Sequence, residues 1–251
     1  MAQIWEEYRD GYHYEVRTAG SSLRLYRDGV LHTQYNPKRL LTLGVWDLLL
    51  LPALAVRESG PKRVLVLGVG GGAVLRLYSD FFPGVEITGV DLDPMHLKIA
   101  REFFGAQATR ATLVVAEARE WLGNYSGEPF DLIIDDMFDG RDADPRKVFE
   151  PDSLWFDQLL SAMNPDGMLI MNFASMRDLA KAAWLRDRKL RRKLPGAVAL
   201  EMPSYGNAVA AFSGLPLNAA EVRAAVGTRP EFRRAQGRQL MFSVRTLRPR
   251  T

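Results

Sequence analysis

Hydrophobic positions along this chain change their spacing near residue 60. Before that point, YHYEVRTA and SLRLYRDG alternate in part, and Gly20-Ser21 and Asp28-Gly29 break them with turn residues. This predicts a small antiparallel β unit of one or two hairpins within residues 1–36. The most apolar run follows, LLTLGVWDLLLLPALAV from Leu40 to Val56. Asp47 and Pro52 interrupt it, and it is shorter than the roughly 20 residues a bilayer span needs. It predicts a buried helix from about Pro37 to Glu58, within a connecting segment 37–60.

From Lys62 onward, short apolar runs alternate with stretches of helical period. KRVLVLGVGGG, VEITGVDLD, ATLVVAE, FDLIIDD and MLIMNFA read as strands. AVLRLYSDFF, PMHLKIAREFFG, AREWLGNY and PDSLWFDQLLSAM read as the helices between them. A further helix is expected from Met176 to Leu194. Such alternation predicts a mostly parallel sheet covered on both faces. AVALEMP and AVAAFSG then flank Ser204-Tyr205-Gly206-Asn207, a tight turn that makes its strands antiparallel. A parallel sheet ending in such a hairpin is the pattern of a Rossmann-like, seven-stranded methyltransferase fold. It would occupy residues 61–215, with 216–251 as a basic C-terminal extension and a frayed tail.

Composition sets the outer limits. Of 251 residues, 47% are hydrophobic and 25% charged, which excludes a disordered chain. There is no cysteine, hence no disulfide, thiolate metal site or cysteine nucleophile. His13, His32 and His96 show no ligand spacing, so no metal is expected. MAQIWEEYRDGYHYE is acidic and aromatic, unlike a secretory leader, and a soluble cytoplasmic protein is expected. The net charge is only +3. Basic residues do concentrate after Lys181, as in RDRKLRRK, but no aromatic residues interleave them. They read as a solvated face, and nucleic acid is disfavoured as a partner.

Candidate chemistry lies at the ends of the predicted strands, where open α/β sheets bind ligands. Gly68, Gly70 and Ala73 have G-x-G-x-x-G/A spacing between a strand and a helix, which lets a ligand approach the backbone closely. Asp91 ends the second strand, placed to accept both hydroxyls of a ribose, while Asp93 caps the next helix. Both nicotinamide and S-adenosyl domains use such an acid, so these features indicate an adenosine-containing ligand without choosing between them. Glu117 follows the third strand, placed for an adenine amino group. Asp135 and Asp136 end the fourth and point to opposite sides. One of the pair caps or solvates a loop, and Asp136 is read as facing the centre of the crevice.

In these residues the chain resembles the spermidine synthase family of polyamine aminopropyltransferases, over about Lys62 to Ala174. LYRDGVL extends the likeness weakly toward the N-terminus. VLVLGVGGGAV is similar to V-L-x-I-G-G-G-D-G-G, VDLDP to V-E-[IL]-D, VVAEA to G-D-[AG], and FDLIIDDMFDG to F-D-x-I-I-x-D-S-[ST]-D-P. The resemblance implies a transferase that moves an aminopropyl group from decarboxylated S-adenosylmethionine to an amine. It implies Asp136 as the catalytic acid, with Asp139 and the position of His32 serving the substrates. Gly68, Gly70, Gly71, Gly72, Asp91, Leu92, Glu117 and Ala118 would form the donor site. It also implies dimers or tetramers, and a homodimer is expected.

The chain departs from the pattern at four places. Gly71 replaces the acid of the glycine motif, His32 stands for a glutamine, Gly44-Val45-Trp46 for Tyr-Gln-Glu, and Gly140 for a proline. An acid at position 71 would hold the ammonium of an aminopropyl tail and repel an α-carboxylate. Its absence predicts tolerance of intact S-adenosylmethionine. Two alternatives therefore stand beside aminopropyl transfer: a methyltransferase with a non-polyamine acceptor, and a non-catalytic nucleotide-binding or assembly module. A nicotinamide-dependent oxidoreductase is disfavoured by the terminal hairpin.

Overall fold

The computed structural model describes residues 1–55, 60–139 and 146–249. Four strands open the chain: β1 (Ala2–Arg9), β2 (Tyr12–Ala19), β3 (Ser22–Arg27) and β4 (Val30–Tyr35), paired antiparallel in that order. β1 goes beyond the expected hairpins. Its residues are largely exposed, and pairing with β2 gives it a structure its own pattern does not announce.

α1 (Val45–Leu50) runs into a 3₁₀ turn, Leu51–Ala55, so the helix begins later than the expected Pro37. Buried Asp47 explains the late start. Its carboxylate accepts from Thr42 N and Oγ1 (both 2.9 Å) and Leu43 N (2.7 Å), closing a loop ahead of the helix. The end expected near Glu58 lies outside the described residues.

The main domain follows as β5 (Arg63–Leu67), α2 (Ala73–Phe81), β6 (Glu86–Asp91), α3 (Pro94–Glu102), β7 (Thr112–Val115), α4 (Ala118–Gly123) and β8 (Phe130–Asp135). Next come the small pair β9 (Phe138–Asp139) and β10 (Arg146–Lys147), then α5 (Ser153–Ser161), β11 (Met163–Phe173), α6 (Met176–Leu179), α7 (Arg188–Lys193), β12 (Gly196–Glu201) and β13 (Ala208–Ser213). The chain closes with α8 (Ala219–Thr228), α9 (Pro230–Arg233) and β14 (Ser243–Thr246). The single helix expected from Met176 to Leu194 is interrupted. Asp187 accepts from Lys189 N and Leu190 N and starts α7 afresh.

The sheet order is β14-β12-β13-β11-β8-β5-β6-β7. β5, β6, β7, β8 and β11 run parallel, and β13 lies antiparallel between β11 and β12, as the terminal hairpin requires. The sheet has eight strands instead of the expected seven. The extra one is β14, which pairs antiparallel with β12, so part of the basic extension returns to the sheet. Arg223 donates to Val244 O at 2.9 Å and helps hold it there.

Alternate residues of β5 feed two cores: Val64 and Val66 pack on one face, Leu65 and Leu67 on the other. That two-sided burial explains why the strand reads as a continuous apolar run. A third cluster, including Tyr14, Leu25, Met95 and Phe104, joins the N-terminal sheet to α3. From β5 the chain winds through β6 and β7 to one side, then crosses to β8 on the other. The crevice at that switch point is where such a sheet takes its ligand.

Candidate functional site

The glycine loop, Gly68–Gly72, connects β5 to α2 with positive φ at Gly68 (84°), Gly70 (51°) and Gly72 (84°). At Gly68 the requirement for glycine is steric and comes from the protein itself. A Cβ there would lie 2.5 Å from the backbone oxygen of Asp136, so the absence of a side chain lets the exit of β8 close against the loop. Gly71 is covered in turn by β4. Its N–H donates to Thr33 Oγ1 at 2.8 Å, and a Cβ would stand 2.8 Å from Thr33 Cβ and Cγ2. The Thr33 side chain thus covers Gly71, the position where the family pattern has an acid. Replacing Gly71 by alanine is expected to cost about 1–3 kcal/mol by overpacking. Urea denaturation should show most of that cost removed in a Thr33→Gly background; strict additivity of the two substitutions would rule the contact out as its cause.

Asp91 lies beneath this loop. Its Oδ2 accepts from Val69 N (2.8 Å) and Gly70 N (2.9 Å), and its Oδ1 accepts from Asp93 N (2.9 Å). His96 Nδ1 is 3.4 Å from Oδ1. Burial alone would raise the carboxyl's pKa, but His96 and the backbone donors outweigh it and hold the group below the usual carboxylate range. A carboxylate offers about four acceptor positions, and three N–H groups take three of them. The expectation that Asp91 accepts both ribose hydroxyls thus meets a group with room for one.

Asp93 caps α3 through Met95 N at 2.9 Å and also accepts from Tyr14 (2.6 Å) and Arg27 (3.3 Å) of the N-terminal sheet. His32 packs against His96 with the rings tilted at 45° and their centroids 4.9 Å apart, and its Nε2 is enclosed without a hydrogen-bond partner. Burial, helped by His96 and Arg27, lowers its pKa to about 3, so the ring is neutral at ordinary pH. Glu117 caps α4, accepting from Arg119 N (3.0 Å) and Glu120 N (2.8 Å), with Ala118 buried behind it. Leu92 is 69% exposed and Val115 53%, two apolar side chains just past and at the ends of β6 and β7. Val115 escaped the sequence reading because an isolated valine ending a strand carries no signal.

The paired acids divide their work. Asp135 is fully buried and does not solvate a loop. It forms an ion pair with Lys147, accepts from Trp155 Nε1 at 3.0 Å and from Met137 N at 3.3 Å. Such a group is stable inside the protein only because it is paired. Asp136 is half-buried beside the glycine loop, with Oδ1 accepting from Asn172 Nδ2 at 2.8 Å. Burial raises its pKa to about 7, against the opposing pull of Asn172 and Lys147; Asp135 and Asp91 push it further up. The Asp139 backbone pairs with Arg146, while its side chain and Gly140 lie outside what is described. Lys147, Trp155 and Asn172 had no sequence signal, because each meets its acid only through the fold. Among the described residues, no three His, Asp or Glu side chains converge as metal ligands, and no helix is long and apolar enough to cross a membrane.

The family described as Methyltransferase domain matches residues 64–151. A probable spermidine synthase from Corynebacterium glutamicum superposes with a TM-score of 0.71, covering 98% of this chain and 90% of that one at 18% identity. The chain has a spermidine synthase-like fold. Human Methyltransferase-like protein 13, solved in complex with SAH, shares it at a TM-score of 0.56 and 19% identity, over 78% of this chain and 89% of that one. In sequence, the chain is 35% identical over 141 residues to polyamine aminopropyltransferase 2 of Caldanaerobacter subterraneus subsp. tengcongensis, covering 55% of this chain and 45% of the relative. It spans about half the length of the curated relatives it matches.

Proposed function

We propose that this chain is a spermidine synthase-like transferase that takes a group from an S-adenosyl sulfonium donor and passes it to an amine or similar nucleophile at Asp136. The observation that carries this reading is the Asp91 carboxylate seated on the N–H groups of Val69 and Gly70. In a dinucleotide-binding domain those donors would face a pyrophosphate. Here an anion already holds them, and Asp136 adds a second acid nearby. The pair disfavours phosphate and favours a cation, which fits a sulfonium and does not fit a nicotinamide dinucleotide. Leu92 and Val115 offer an apolar surface on which a purine can lie. The names of the curated relatives point the same way.

The donor supplies a carbon made electrophilic by its bond to positive sulfur. An amine acceptor has a pKa near about 10 and arrives protonated. Asp136 attracts that cation and takes its proton as the nitrogen attacks. Asn172 occupies Oδ1, so Oδ2 is the basic atom. The carbon–sulfur bond breaks, its electrons return to sulfur, and a neutral thioether leaves. Asp139 would hold the far end of a diamine.

The identity of the donor rests on position 71. No acid stands there, and Thr33 covers the glycine. The site is therefore proposed to accept intact S-adenosylmethionine, which keeps methyl transfer as the second reading. Calorimetric titration should give at least equal affinity for S-adenosylmethionine and its decarboxylated form. A clear preference for the latter would remove the second reading, and failure to bind either would leave the non-catalytic module. A homodimer in the cytoplasm completes the proposal, with light scattering as the test of its size.

A further inference from the structure

Within MLIMNFA, Asn172 is the one polar residue, and it is 2% exposed. A buried amide is costly unless its groups are bonded, so an apolar side chain would be the ordinary choice at this place in β11. The register explains the exception. Met171 pairs with Asp135 across the parallel β11–β8 ladder, which brings the next residue, Asn172, beside Asp136. Its Nδ2 donates to Asp136 Oδ1 at 2.8 Å. Its Oδ1 accepts from Asn207 Nδ2 at 3.2 Å, at the turn just before β13. An ionised carboxylate can only accept, so Asn172 must turn its N–H toward Asp136 and its oxygen toward Asn207. Two amides, one from β11 and one from the turn before β13, thus form a chain that ends on one oxygen of the acid.

We propose that Asn172, oriented by Asn207, is the positioning residue that fixes the Asp136 carboxylate with Oδ2 free for the acceptor. This rests on the reading of Asp136 as the proton acceptor. The charged groups acting on Asp136 are Lys147 from β10, Asp135 from β8 and Asp91 from β6. Lys147 is already paired with Asp135, so the amide is the neutral donor that favours the ionised acid.

The test is titration of the Asp136 carboxyl carbon by NMR in the nucleotide-free protein, compared with the pH profile of kcat. In Asn172→Leu the midpoint should move up by about one unit, leaving about tenfold less ionised acid at a given pH below the midpoint. In Asn207→Ala, which alters only a part-exposed turn and is expected to fold, it should move the same way by less. The kcat profile should follow both shifts, with KM changing less than kcat. A carboxyl midpoint unmoved in folded Asn207→Ala and Asn172→Leu overturns the proposal; if Asn172→Leu does not fold, Asn207→Ala decides alone. A midpoint that moves while the kcat profile stays fixed upholds the positioning role and instead removes Asp136 as the proton acceptor.

Discussion

Asp136→Asn is expected to lower kcat by about 10²–10⁴-fold, the usual worth of a positioned proton acceptor, with nucleotide binding weakened far less than turnover. Asparagine keeps the shape and can still present an oxygen to Asn172 Nδ2, so geometry survives while basicity is lost. In the native protein, turnover should rise as pH passes through about 7, where the acid ionises. The same substitution should stabilise the fold, with a definite pH signature. The folded-state pKa lies above its usual value of 3.8, so the folded protein holds this proton more tightly than the unfolded chain. The native protein therefore loses stability as pH rises from about 4 to about 7, and the variant does not. After discounting for partial exposure, the variant should gain on the order of 1–3 kcal/mol at pH 8, fading toward pH 4. Urea melts at both pH values decide the matter. An equal effect at pH 4 and pH 8 would mean that Asp136 is not held protonated by its surroundings.

Lys147→Met should have the largest effect on stability, a loss of about 3–5 kcal/mol, because Asp135 would be left as a buried charge without its counterion. Trp155 and the Met137 N–H would remain as donors but carry no full charge. The double variant Asp135→Asn, Lys147→Met should recover most of the loss, since no lone charge remains. A double variant as unstable as the single one would show that packing over Phe138 and Phe173, and not charge, is what Lys147 provides. The single variant should also raise the Asp136 midpoint, because Lys147 now lowers it.

How much of this is legible in the sequence depends on where the partner of each residue lies. The glycine loop, Asp91 and Asp136 can be placed from local pattern alone, because an apolar strand that stops at an acid marks a strand end in a parallel sheet. The terminal hairpin is legible for the same reason: its turn is contiguous. β1 and β14 are not, since they are edge strands whose residues are mostly exposed and carry little hydrophobic period. Nor is the cover on Gly71, because Thr33 reaches it from the N-terminal sheet, across a separation that no spacing rule connects. Of two adjacent acids, sequence parity tells that they diverge. Only the fold tells that one meets Lys147 and Trp155 while the other meets Asn172.

The glycine loop has one more effect. Its N–H groups at Val69, Gly70 and Gly71 already have partners in Asp91 and Thr33, and Gly72 N bonds back to Val69 O. A loop of this kind has no dangling donors to collapse inward or to recruit stray anions. Its shape is set when the chain folds, so the entropy of ordering it is not charged against the affinity of whatever enters.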